Sequence, residues 1–399
     1  MLDGYRILDC TDRLGWLAAR LLADLGADVI KVEPPGAAVD AVDWQANNVN
    51  KRLLVLDLGS RAGKAVFDRL VKKADFLFET APPGSKDADV LFSPERLRKL
   101  NRGLIHVSLT PYGRSGPRAA WTGSDMELMA AGGAMSLAGE PGGLPVRVTA
   151  PQSYAWTSAQ AAVGAMVALA HRAMTGDGQH VDVSGQASVV AALANAPPFY
   201  DIAGDIPTRD GSFITGRSVH GARFRVFWPC KDGHVNFILY GGSAGKRTNA
   251  GLISWMNEKG IDLGVLATID WDTFDPTQQT QAQIDELEKP IGNFIRTLTK
   301  REFLEGTFKR EMLGYPVSTV ADIATDPQLE ARGFWQDIAG PDGRPVRHVG
   351  GVAVIDGKRP DLRHPLAVPG QHSRAILKEF GFKDADIDKL VASGVVRAA

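Results

Sequence analysis

The stretch "PQSYAWTS", residues 151–158, opens an apolar, alanine-rich run, and its titratable side chain is Tyr154. A helix starting there presents a phenol. With a pKa of about 10, a phenol is neutral near pH 7 and serves as hydrogen-bond partner or general acid, not as a strong nucleophile. Carboxylates stand one at a time behind short apolar runs: Glu33 after "GADVIKV", Asp57 after "RLLVL" and Glu79 after "DFLF". In a parallel sheet these positions fall at the carboxyl ends of strands, where ligands bind.

Several familiar site types are disfavoured by spacing. Glu33 ends a second strand as a ribose-binding acid would, but "TDRLGWLAAR" after the first strand has only Gly15 and no G-x-G-x-x-G. A nicotinamide dinucleotide enzyme is therefore not expected. Ser184 in "VDVSGQAS" does not meet G-x-S-x-G, which argues against a serine hydrolase. His106, His171, His180, His364 and His372 belong to no HExxH or HxH pair. Cys10 and Cys230 belong to no CxxC or Cys/His cluster, so no metal site is expected and a reducing cytoplasm fits.

The elements that must position these residues follow from periodicity. "YRILDC", "GADVIKVE", "RLLVLDL", "DFLFE" and "LIHVSL" read as strands. Helices are expected between them, with an apolar stripe at Leu14, Leu17, Ala18, Leu21, Leu22 and Leu25, then over 60–73 and 93–100. Repeated βαβ units imply an α/β fold with a parallel sheet. Residues 111–150 are rich in glycine and proline around a short helix. The run through Ala155, Ala159, Ala162, Val163, Met166, Val167 and Leu169 reads as a buried helix ending in the turn 175–178.

Further on, "PPFYDIAGDIPTRDGSF" is loop-like and "GARFRVFWPCKDGHVNFILYGG" reads as a hairpin turning at 231–233. Charged helical segments follow to about residue 325. The tail holds a strand-like "GRPVRHVGGVAVIDG" and two short helices in "SRAILKEFGFKDADIDKLVASGVV". The boundaries expected are a large domain over 1–195 with 335–399, and a smaller α+β domain over 196–334. Lys plus Arg number 45 against 46 Asp plus Glu, a formal charge of −1 that argues against a nucleic-acid or membrane-surface partner. "MLDGYRILDC" goes straight into a strand, so neither a signal peptide nor a membrane span is expected.

Nearly the whole chain resembles the class III CoA-transferases, the group of formyl-CoA transferase, carnitine CoA-transferase and α-methylacyl-CoA racemase. The residues that carry the resemblance are "LLADLGADVIKVEPPG", "KRLLVLDLGSRAG", "ADFLFETAPPG", "SPERLRKLNRGLIHVSLTPYGRSGP", "GSDMELMAAGGAMSLAGEPGGLPVRV", "GDGQHVDVS" and "DPQLEARGFW", in the family's order. The resemblance implies a Rossmann-like large domain, a smaller domain and two chains threaded as interlocked rings. It also implies acyl-CoA as substrate, with no tightly bound cofactor and no metal.

In that family a carboxylate near the start of the core helix attacks the thioester and forms a mixed anhydride. Laid on this sequence without a gap, that aspartate falls on Tyr154, and Gln152 and Ser153 beside it are neutral too. The racemase branch uses a histidine in "GHD", where this chain has Ser124 before Asp125. Both racemase groups are thus missing, and Asp125 is expected to cap the helix after it.

Basic side chains that relatives place in three strand-end loops are replaced by Pro34 or Pro35, by Gly59, and by Pro82 with Pro83. Giving up one charge-assisted hydrogen bond to phosphate costs roughly 1.5–3 kcal/mol. Arg52, Arg61, Lys64 and Arg114 remain as candidate CoA contacts. Glu33, Leu56 and Asp57 complete the candidate set, with backbone contacts to adenine from 55–58. Loop aromatics such as Trp121 and Trp228 hint at an apolar or aromatic acyl group.

The resemblance then implies the non-catalytic subunit of a heteromeric transferase, as in the benzylsuccinate CoA-transferase type with its two related chains and succinyl-CoA as donor. The partner is a related chain that keeps the aspartate; a homodimer is the other arrangement. Two further readings stand beside it. One is an acyl-CoA isomerase, lyase or hydrolase with Tyr154 as general acid and Asp125, Glu140 or a histidine as base. The other is a silent protein that binds CoA esters.

Overall fold

All residues of Phe76–Glu79 and Ile105–Thr110 are buried, the condition of continuous apolar runs in a parallel sheet covered on both faces. The computed structural model describes residues 1–39, 41–239, 241–340, 343–351 and 353–399. Tyr240 and Val352, inside segments with a strand-like sequence, lie outside that set. By contacts the chain divides into two units. The first holds Met1–Met135, Arg147–Asp205 and Pro327–Ala399, the second Ser136–Val146 and Ile206–Asp326.

In the first unit the strands are β1 Arg6–Cys10, β2 Asp28–Glu33, β3 Arg52–Leu56, β4 Phe76–Glu79, β5 Ile105–Thr110 and β6 His180–Ser184. The helices between them are α1 Trp16–Asp24, α2 Val42–Asn48, α3 Arg61–Val71, α4 Pro94–Leu100, α5 Asp125–Ala131 and α6 Gln152–Thr175, with α7 Gly185–Ala192 following β6. These six strands pair in parallel in the order β3-β2-β1-β4-β5-β6. That is the doubly wound order, and its direction reverses between β1 and β4. Strand Val396–Arg397 adds antiparallel to β3, with Val396 opposite Leu56. The tail therefore covers an edge that would otherwise offer unpaired backbone groups.

Helix α6 lies against α1 through small side chains, Ala161, Ala165 and Ala168 on one and Ala18, Ala19 and Ala23 on the other. Alanine faces let the two backbones come close. Gly176, at φ 79°, stops α6 in left-handed backbone, as the turn expected at 175–178 requires.

Charges, not only apolar groups, hold the centre of the sheet. Asp9, Lys31 and Lys51 are almost completely buried. The Lys51 ammonium donates to Asp9 Oδ2 at 2.7 Å, to the Trp16 carbonyl at 2.6 Å and to Asn48 Oδ1 at 2.7 Å. The Lys31 ammonium donates to the Thr11 carbonyl at 2.6 Å and lies 3.2 Å from Glu33 Oε1. Burial works to raise the Asp9 carboxyl, and the two lysines more than reverse it, so the group stays ionised. Burial takes Lys51 down to about 8 even with Asp9 beside it.

The second unit contains an antiparallel hairpin, Phe227–Cys230 with Gly233–Asn236, that turns at the expected place; Tyr315–Pro316 extends it. Helices Gly242–Glu258, Gln281–Ile295 and Lys300–Lys309 surround a core in which Trp255 meets the Phe294 ring edge-on at 5.2 Å. The stretch expected to be loop-like at 197–213 carries a helical turn at Phe199–Ala203, in the first unit. No helix among the described residues is long and apolar enough to cross a membrane.

Lys51→Met should cost about 3 kcal/mol, because it strands a buried carboxylate, and a urea denaturation midpoint will read the loss. Adding Asp9→Asn should cost less than the sum of the two single changes. In the second unit, burial raises the Glu288 carboxyl to about 7 from 4.5, against the Arg225 N–H that donates to it at 2.7 Å. The folded state then holds a proton that the unfolded chain has released. Stability is present below about pH 4.5 and is lost as pH rises through about 7. Glu288→Gln should therefore melt several degrees above wild type at pH 8 and level with it near pH 4.5, in paired thermal scans.

Candidate functional site

The residues at the start of α6 do not stand free. Tyr154 is half-buried, and its hydroxyl oxygen accepts the first N–H of α5, from Asp125, at 3.0 Å. Asp125 Oδ1 in turn accepts the Ser153 N–H at 2.9 Å and the Ser153 hydroxyl at 2.8 Å. The two helix N-termini thus cap each other: a side chain of α6 satisfies α5, and a side chain of α5 satisfies α6.

The expectation that Asp125 caps its own helix is corrected, because Ser124 occupies the N-cap and its N–H donates to Glu127 at 2.9 Å. The Asp125 carboxylate is left to reach across. Burial pushes the Tyr154 phenol further above its ordinary value, so it stays neutral. Beside it lies a hollow of about 110 Å³, where Arg13 pairs with Asp43 at 2.9 Å.

A larger cleft, about 530 Å³, opens at the carboxyl ends of β1 to β4, at the topological switch point. Cys10, Trp16, Val32, Leu56 and Phe92 give it apolar walls, and Asp12, Glu33, Asp57 and Asp87 give it carboxylates. Glu33 Oε1 also accepts the Trp44 indole N–H at 2.8 Å. Asp57 Oδ1 accepts the Gly59 N–H at 2.9 Å, and Ser60 caps α3 just beyond. Of the candidate residues, Glu33, Leu56 and Asp57 therefore meet in one cleft.

The candidate bases do not line it. Arg52 begins β3 and so lies at the opposite end of the sheet, where Asp28 and Glu379 each hold its guanidinium with two nitrogen–oxygen contacts of 2.7–2.9 Å. Arg61 and Lys64 are in the first turn of α3, outside the lining. Arg114 is drawn into a second titratable group. Its side chain lies 3.4 Å from the buried Glu79, and its N–H donates to Asp182 at 2.9 Å.

That group runs on as a chain of contacts: Glu79 to His106 at 3.3 Å, His106 to Ser108 at 3.3 Å, and Ser108 to His180 at 2.9 Å. Burial, with His106 and Arg114 adding to it, lowers His180 to about 4 and keeps it neutral. The chain fixes the "YGRSGP" loop to the sheet. Sequence spacing missed it, since its members come from three different strands, and missed Asp9, Lys31 and Lys51 as well. A lysine within the buried run "GADVIKVE" was the available signal.

Of the aromatics that hint at an acyl pocket, Trp228 is in the core of the second unit, with its indole N–H on the Phe237 carbonyl at 2.7 Å. Trp121, in the first unit, is exposed and stands edge-on to Tyr112 at 6.0 Å. No group of three or more His, Cys, Asp or Glu side chains among the described residues could hold a metal ion.

Comparison with known proteins agrees with this architecture. The chain is 33% identical to the succinyl-CoA:(R)-benzylsuccinate CoA-transferase subunit BbsE of Thauera aromatica, over 99% of this chain and 98% of that one. It is 28% identical to the succinate–glutarate CoA-transferase of Agrobacterium fabrum, over 95% of each chain. A CAIB/BAIF family protein from Brucella suis, 26% identical, superposes with a TM-score of 0.80 over 95% of this chain and 99% of that one. The pattern of CoA-transferase family III spans residues 2–373, and with the switch-point cleft and the full-length relatives it establishes that this chain belongs to CoA-transferase family III.

Proposed function

We propose that this chain is the non-catalytic subunit of a heteromeric family III transferase. The complex moves CoA from an acyl-CoA thioester, such as succinyl-CoA, to a carboxylic acid, and a related chain supplies the nucleophilic aspartate. The observation that carries this reading is the reciprocal cap. At the position of the family's nucleophile, the Tyr154 oxygen is a neutral acceptor already bound to the Asp125 N–H. Across the cap, the Asp125 carboxylate accepts the Ser153 N–H and hydroxyl through Oδ1. A phenol there would give an aryl ester instead of a mixed anhydride, and no carboxylate stands at residues 151–154 to replace it.

Two further facts support a partner chain. Val163, Val167 and Met174 are 59%, 65% and 80% exposed on a helix whose other faces are core, an apolar surface of the kind another chain covers. The relative from Thauera aromatica is itself named as a subunit. In an interlocked arrangement this chain would contribute packing and cleft walls next to the partner's reacting carboxylate. In the general-acid alternative Asp125 Oδ1 already accepts from Ser153, which leaves Glu140 or a histidine as the base.

The two-chain complex provides the test. Tyr154→Phe should leave the rate of labelled CoA exchange within about threefold, while lowering stability by about 1 kcal/mol through removal of the cap. Replacing the partner's aspartate by alanine should abolish exchange, and the purified single chain should show none. Turnover by this chain alone, abolished in Tyr154→Phe, would overturn the reading.

A further inference from the structure

The tail closes the outer edge of the sheet, and one of its acceptors there can take up a proton. Strand β3 is the last parallel strand on its side, and its outward N–H groups come from alternate residues, Leu53, Val55 and Asp57. The Leu53 N–H donates to His372 Nδ1 at 3.1 Å and the Val55 N–H to Ser373 Oγ at 3.4 Å. The Asp57 N–H donates to the Val395 carbonyl at 2.8 Å. Leu53, Val55 and Ser373 are buried, so an acceptor lost while the tail stays in place is not replaced by bulk water.

Of these three acceptors, only the His372 ring changes charge near neutral pH. Its bond requires a bare Nδ1, which in the neutral ring leaves the hydrogen on Nε2. Protonation puts a hydrogen on Nδ1 as well, and two donors then face each other. The surroundings oppose that charge. The ring is half-buried, its centroid is 6.4 Å from that of His364, and Arg52 begins the strand it docks on. Arg363 adds positive charge at His364. The nearby acids are engaged: Asp28 and Glu379 pair with Arg52 and Arg6, and Asp388 and Asp384 pair with Arg374 and Lys378 of the helix after the ring. Burial, then His364 and Arg52, lower His372 below its ordinary 6.5.

We propose that the tail is an acid-sensitive strap: protonation of His372 ends its hold on Leu53 and releases the tail from β3. A released ring titrates at its ordinary 6.5 and a docked ring lower, so docking is complete above about pH 6.5 and weakens as pH falls below it. Release reaches the switch-point cleft. Leu56, Asp57 and Leu58 line that cleft, and the tail holds the Asp57 N–H. Ala367 of the tail also packs in one cluster with Leu53, Val55 and Trp44, whose indole N–H holds Glu33. The strap works the same way whichever chain carries the nucleophile.

Hydrogen exchange of the full chain at about pH 7.5 and about pH 5.5, read by mass spectrometry and corrected for the intrinsic pH dependence of exchange, is the test. Segments 52–58 and 393–397 should lose at least about threefold in protection at the lower pH, while 161–168 in α6 keeps its own. His372→Asn offers an amide oxygen to the Leu53 N–H and does not titrate, so it should protect both segments equally at the two pH values. His364→Asn should retain a pH dependence. Wild-type protection of 52–58 that ignores pH, an equal loss in 161–168, or a dependence that survives His372→Asn overturns the proposal. Should His372→Asn fail to fold, disappearance of the dependence in His364→Asn overturns it as well.

Discussion

Beneath the cleft, Asp9 is held by two lysines in a place that water does not reach. Taking three charges out of water is expensive, and the expense is offset only while each keeps its partners. Lys51, just before β3, bonds to Asp9, to the first residue of α1 and to the last residue of α2. Lys31 bonds from β2 to the backbone after β1 and leans on Glu33. Three parallel strands and two helix approaches are thus fixed to one carboxylate. The geometry of the cleft above, including where Glu33 and Trp16 sit, is inherited from that arrangement. A hydrophobic replacement could supply burial, but not the directional bonds that set the strand ends relative to one another.

A second constraint operates at the start of α6. On the proposed reading, a catalytic relative has at this place a carboxylate that must be charged and open to a thioester. Here the same helix turn is devoted to satisfying backbone donors, with Tyr154 serving α5 and Asp125 serving α6. The demands conflict: a free nucleophile leaves its neighbour's N–H without this partner, while a cap gives up its reactivity. The tyrosine also adds apolar contact, packing against the cluster that joins α1, α6 and the sheet.

The βαβ alternation of the first five strands, the helices near 61–71 and 94–100, the hairpin at 231–233 and the turn at 175–178 were legible from apolar periodicity and turn residues, whereas α2 and α7 were not. Local sequence determines these features because they depend on neighbours a few positions apart. The gathering of Glu33, Leu56 and Asp57 was legible as well, because strand ends in a parallel sheet must share one edge. Tyr154, Pro34, Gly59 and Pro82, the residues from which the proposed function argues, were likewise written in the sequence.

What Tyr154 and Asp125 do was decided only in three dimensions. Asp125 reads as a cap for its own helix until the chain fold brings Ser153 within 2.9 Å. Arg52 and Arg114 read as free cations until Asp28, Glu379 and Glu79, distant in sequence, claim them. Charge partners are chosen by proximity and by burial, which strengthens a pair as water is excluded. Neither quantity exists along an extended chain. The sequence alone therefore determined most of the elements and the neutral side chain at position 154, and the tertiary structure decided which polar groups pair with one another and which line a cleft.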